Sequence, residues 1–141
     1  MPINSRTKGA TFERDVAKIL NEFFEAESID YQTKRNLDQY QTKGMADIYW
    51  DNLAIECKRY KGNNRSDVFK NDWWNQAVES ANDNLIPILI YKYDRRPIYI
   101  VIPNYLIGES KEKNWQQFSM LPLSDICERL DEVVQKANGL K

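Results

Sequence analysis

The chain has 141 residues, 42% of them hydrophobic and 12% aromatic, with 20 basic against 21 acidic side chains and a net charge of −1. That length and apolar content suit one globular domain with its own core and exclude a disordered chain. The charge balance excludes a uniformly basic nucleic-acid binder, and the absence of any histidine excludes imidazole acid–base catalysis, His-based triads and histidine zinc ligands.

Met1 to Gly9 reads as a basic N-terminal arm with Arg6 and Lys8, lacking the apolar run of a signal peptide. The spacing of Phe12, Val16, Ile19, Leu20, Phe23 and Phe24 predicts an amphipathic helix over 10–27. On those bounds Glu13, at the flank of the apolar stripe, is a first-turn acid of the kind a helix macrodipole favours. Ile29 to Thr33 reads as a short strand, and Lys34 to Lys43 as a polar loop carrying Lys34, Arg35 and Lys43.

Gly44 to Arg59 reads as two strands joined by the turn Asp51-Asn52, two residue types that tolerate the positive φ of a primed turn. The register follows: Trp50 opposite Leu53, Tyr49 opposite Ala54, Ile48 opposite Ile55, Asp47 opposite Glu56. Alternation then puts Asp47, Glu56 and Lys58 on one face and the apolar Ile48, Ile55 and Cys57 on the other. Two carboxylates with Cβ atoms about 5 Å apart are destabilising unless positive charge lies between them. A divalent cation supplies that charge, and Lys58 supplies it more weakly.

Arg59 to Arg65 is a basic loop that includes Lys61. A helix over 67–82 follows, with Ser66 as N-cap and Trp73, Trp74, Ala77, Val78 and Ala81 as its apolar stripe. At helical spacing the two tryptophans suit a core or an interface better than base stacking. Gln76 falls off the stripe, on the side of Trp73 and Ser80. Leu85 to Lys92 predicts a central strand covered on both faces, Asp94 to Pro97 a turn, and Ile98 to Ile102 a second buried strand. Ser124 caps a last helix over 125–137 that Gly139 stops; 105–122 takes no assignment. The order predicts an α/β fold, a mixed central β-sheet flanked by helices, as one domain over 1–141. No apolar run approaches the ~20 residues of a membrane span. Cys57 and Cys127, at apolar positions, read as buried free thiols of a reducing, cytoplasmic compartment.

The opposed acids define the candidate chemistry. Asp47 and Glu56 offer hard oxygen ligands suited to Mg²⁺ or Mn²⁺, and the backbone carbonyl of Cys57 offers another. Lys58 beside such an ion would position an attacking water or stabilise charge on a phosphorane-like transition state. That set suits metal-assisted hydrolysis of a phosphodiester and needs neither histidine nor a nucleophilic side chain. The alternative, a solvent-facing strand with ordinary salt bridges, fits poorly with two opposed acids in a buried sheet. Around the hairpin, Arg6, Lys8, Lys34, Arg35, Lys43, Arg59, Lys61 and Arg65 form a local basic surround suited to DNA phosphates.

Asp47, eight residues and then Glu56-Cys57-Lys58 resembles the Asp…Glu-x-Lys core of the PD-(D/E)xK nucleases. Lys8-Gly9-Ala10-Thr11-Phe12-Glu13-Arg14 resembles the start of the first helix in archaeal-type Holliday junction resolvases and their phage relatives. The resemblance implies a restriction-endonuclease-like αβββαβ core, with Glu13 completing the metal site and acting with Asp47, Glu56 and Lys58. It also implies branched DNA as substrate and a homodimer, because symmetric cleavage of a four-way junction needs two sites. Gln76 matches the family's later helix loosely, as an active-site or DNA-backbone glutamine or as a plain surface residue. Ala46 stands where the family often has proline, and the loop before Asp47 lacks the serine that resolvases tend to carry. Another nuclease of the superfamily (repair, restriction-type or exonuclease) and a non-catalytic DNA-binding module are the competing expectations.

Overall fold

The apolar run after Leu85 and the strand carrying Glu56 become parallel neighbours at the centre of a six-stranded mixed sheet. A computed structural model describes residues 5–26, 34–35, 46–50, 52–62, 68–81, 85–126 and 129–139. In chain order these form α1 (Ser5–Ala26), β1 (Lys34–Arg35), β2 (Ile48–Trp50), β3 (Leu53–Tyr60), α2 (Asn71–Ala81), β4 (Ile86–Tyr93) and β5 (Tyr99–Pro103). A 3₁₀ turn (Asn104–Ile107), β6 (Phe118–Pro122), α3 (Leu123–Ile126) and α4 (Leu130–Asn138) complete the described chain. The strands lie side by side in sequence order, and only β3 and β4, joined through α2, run parallel. A parallel pair needs such a crossover, whereas the other neighbours are antiparallel.

Alternation along the central strands builds two cores. Leu53 and Ile55 of β3, Ile86, Ile88 and Ile90 of β4, and Ile100 and Ile102 of β5 pack with Phe12, Val16 and Leu20 of α1 and Val133 and Ala137 of α4. On the opposite face Leu89, Tyr91, Tyr93 and Val101 pack under Trp73, Trp74 and Ala77 of α2. β4 is covered on both faces, as its unbroken apolar run requires. No helix among the described residues is long and apolar enough to cross a membrane.

Several expectations are corrected. The helix begins at Ser5, so residues 5–9 of the expected arm are helical in backbone. The buried stripe from Phe12 onward holds the helix to the core, and each residue added toward the N-terminus costs only its own ordering for one further hydrogen bond. Glu13 is therefore in the third turn, and the first turn holds no acid. The macrodipole does not explain its placement. Lys34–Arg35, expected in a loop, pairs with Tyr49 and Ile48 as an edge strand, where charged side chains are normal; residues 29–33 lie outside the described residues. Asn52 does not adopt positive φ, since Arg95 is the non-glycine that does so among the described residues. Its Nδ2 donates instead to Ala137 O at 2.8 Å, pinning the hairpin turn to the end of α4. The unassigned stretch supplies β6, which extends the sheet beyond β5, and the expected last helix divides into α3 and α4.

Candidate active site

The hairpin register holds for Trp50–Leu53, Tyr49–Ala54 and Ile48–Ile55. Asp47 departs from it. Its amide donates to Ile55 O at 3.1 Å, the residue already opposite Ile48, so two residues share one partner in the manner of a β-bulge. Asp47 is thus not the ladder partner of Glu56. Its Oδ2 accepts the Cys57 N–H at 2.7 Å, a donor that a regular hairpin would give to this strand's main chain. Ladder alternation also turns the Cys57 carbonyl to the β2 side of β3, where Asp47 lies, beyond the last paired residue Ile48. The bulge re-aims the carboxylate, and carboxylate and carbonyl then share one side of the strand.

Glu56 and Lys58 project from the face of β3 that meets α2, and the Glu56 carboxyl also hydrogen-bonds with that of Asp47. Ser80 Oγ donates to Glu56 Oε1 at 2.9 Å, and Lys58 Nζ donates to Gln76 Oε1 at 2.6 Å. Gln76 and Ser80 are four residues apart, so one face of α2 addresses both chemical groups of β3. Glu56 is 3% and Asp47 8% exposed. Burial, followed by the charge of Glu56, pushes the Asp47 carboxyl up from an ordinary 3.8 to about 8. Burial likewise raises Glu56, against the lowering effect of the Ser80 hydroxyl and the Lys58 ammonium. Lys58 therefore acts on both acids and does not restore Asp47 to an ordinary carboxylate. More positive charge is needed to ionise the pair, which is the requirement a divalent cation meets.

Glu13 is buried on α1, and its charge acts unfavourably on both Asp47 and Glu56. Among the described residues no three Asp, Glu, Cys or His side chains are grouped to hold an ion together. Asp47, Glu56 and the Cys57 carbonyl are the groups at the bulge that could hold an ion, and the charge of Glu13 reaches both acids. Cys57 is in no disulfide, as expected, but is half-buried where full burial was expected; Cys127 lies outside the described residues. Arg59 forms an ion pair with Asp94 at 3.1 Å, which ties β3 to the β4–β5 turn and occupies part of its guanidinium. Lys61 is exposed just past β3. Arg6 and Lys8 fall on the first turns of α1, while Lys43 and Arg65 lie outside the described residues. Trp73 and Trp74 are buried core residues. Ser80 is the site residue that sequence reasoning missed, although its position on the Gln76 side of the helix was the available signal.

An acid re-aimed by a bulge, a Glu-x-Lys on the neighbouring strand and a helix glutamine on that lysine, all on a mixed sheet flanked by helices, define a nuclease core of the PD-(D/E)xK class. The profile of the family described as "Phage putative PDDEXK endonuclease" matches residues 4–139, and the chain belongs to that family. It is thereby a member of an endonuclease family, with DNA as the substrate the family implies, in a superfamily that is usually metal-dependent. No curated protein and no solved structure matches the chain.

Proposed function

We propose that the chain is an Mg²⁺-dependent endodeoxyribonuclease that hydrolyses phosphodiesters of branched DNA, with the four-way junction as first candidate substrate and a homodimer as the working form. The observation that carries the reading is the buried Asp47–Glu56 pair, with the Asp47 carboxyl raised to about 8 beside Lys58. Asp47, Glu56 and the Cys57 carbonyl would hold the ion, and Glu13 would add negative charge at its margin. The ion would supply Lewis-acid polarisation of the phosphate and a more acidic bound water. Lys58, anchored by Gln76, presents its ammonium to the attacking water and to the phosphate oxygens that gain charge. Ser80 holds the Glu56 carboxylate in place. The water oxygen bonds to phosphorus and releases its proton to solvent, the bridging P–O bond breaks, and solvent protonates the departing alkoxide. Arg6, Lys8, Lys43, Lys61 and Arg65 are the proposed phosphate contacts, which makes affinity fall steeply with salt. The preference for branched DNA and the dimer rest on the resemblance of residues 8–14 to the resolvases.

Incubation with Mg²⁺ and a four-way junction, a linear duplex or a single strand tests this, with Asp47→Ala as control. Paired symmetric nicks confined to the junction support it. Equal cutting of the linear duplex overturns the junction preference, and cleavage unaffected by Asp47→Ala overturns the site.

A further inference from the structure

Two residues beyond Lys58, on the same face of β3, Tyr60 is 45% exposed, which is unusual for a large aromatic beside a packed core. Its ring stacks on Trp73, with centroids 5.1 Å apart and planes inclined by 19°. Trp73 is itself 3% exposed and packs on both Tyr91 and Tyr93, each with its centroid 5.7 Å away. The Lys70 ammonium lies 5.7 Å from the Tyr60 centroid and 5.9 Å from that of Trp73. With the 5.1 Å stack these separations make a nearly equilateral triangle. Lys70 thus lies close to both rings of the stacked pair, while Tyr60 keeps nearly half of its surface open to solvent.

The surroundings hold this arrangement still. Tyr93 Oη donates to Val68 O at 2.9 Å, anchoring the segment that leads to Lys70. Just past Tyr60 the chain is pressed against Tyr93, since a Cβ at Gly62 would come within 2.8 Å of the Tyr93 Cβ. An exposed aromatic held by a buried one, with a cation beside it, suits a base-stacking platform with a neighbouring phosphate contact. Two residues of strand span about 6–7 Å, so Tyr60 lies one unstacked nucleotide from whatever phosphate Lys58 addresses.

We infer that Tyr60, stacked on Trp73 and flanked by Lys70, receives an unpaired base of the DNA strand next to the phosphate at Lys58, and so favours substrates whose base there is unpaired or easily extruded. This rests on the nuclease reading of the Lys58 site. A base inside a duplex has no free face to offer and must leave the stack at a cost, which is least where pairing is already lost. Stacking tolerates every base, so the preference is for local structure and not for sequence.

The test is a fluorescence titration without divalent metal, using duplexes with 2-aminopurine either paired or as a single-nucleotide bulge. Binding of the wild-type chain should quench the bulged probe beyond the paired one, and absence of that difference overturns the inference without any variant. Tyr60→Phe should keep the quench, while Tyr60→Leu should lose it and weaken binding to bulged DNA about tenfold, with paired DNA unchanged. Equal weakening on both DNAs, or loss of the quench in Tyr60→Phe, overturns it. Cleavage with Mg²⁺ is followed separately: failure of the wild type to cut any DNA counts against the nuclease reading, while the titration still decides whether a base stacks on Tyr60.

Discussion

Replacing Asp47 with asparagine should stabilise the metal-free protein at alkaline pH while abolishing cleavage. The Asp47 carboxyl is raised from 3.8 to about 8, first by burial and then by the charge of Glu56. The native state thus keeps a proton that the unfolded chain has already released. Stability is full below the unfolded value and declines as pH rises through about 8. At about 1.4 kcal/mol for each tenfold step in proton affinity, the loss is capped at ~6 kcal/mol. Relaxation around the ionised pair reduces this to an expected ~2–4 kcal/mol at pH 9. Asparagine keeps an oxygen to accept the Cys57 N–H and cannot ionise. Urea unfolding in chelator should give wild type and Asp47→Asn similar midpoints at pH 4, with the variant pulling ahead as pH rises. Added Mg²⁺ should stabilise the wild type, by about 2.7 kcal/mol at a hundred times its dissociation constant, and leave the variant unmoved. A stability difference that does not change with pH, or a variant less stable than wild type at pH 9, would refute the buried acid pair.

Four further outcomes test the residues around that pair. Ser80→Ala removes a hydroxyl that lowers the Glu56 carboxyl, so the rising limb of the pH–rate profile should move to higher pH, with a loss of about 1–3 kcal/mol in stability by urea unfolding. Gln76→Ala frees Lys58 from its acceptor and should lower the single-turnover rate about tenfold with little change in DNA affinity; an unchanged rate would show that Lys58 needs no positioning. Arg59→Ala should cost at most ~1 kcal/mol of stability, because its ion pair is partly exposed, and should leave the salt dependence of DNA binding unchanged. Lys61→Ala should instead reduce the slope of log affinity against log salt by about 1 while leaving stability alone.

The architecture was legible because it rests on local periodicity. The three-and-four spacing from Phe12, the alternation through Ile55 and the apolar run at Ile86–Tyr93 each bury one defined face, and the helices and central strands follow. Hairpin register was legible for a related reason: a two-residue turn leaves one pairing that keeps Ile48 and Ile55 inside. Elements without a periodic apolar signal were not legible. Lys34–Arg35 is a strand only because the edge of β2 offers it backbone partners, and β6 forms only because β5 does.

Within the site, residue type alone determined that chemistry has to run on carboxylates and a lysine, since the chain carries no histidine, and spacing placed Asp47 near Glu56 and Lys58. Tertiary structure decided how those groups meet. The bulge turns Asp47 from an opposing ladder residue into an acceptor for the Cys57 amide, because one backbone donor shifts to Ile55. Helix α2 brings Gln76 to Lys58 and Ser80 to Glu56 across 18 and 24 residues of chain, contacts that no local pattern encodes. It also buries Trp73 and leaves Tyr60 above it. Local sequence sets which faces are apolar; only the packing of one element on another sets which polar groups are shut away from water, and that burial is what raises the acid pair.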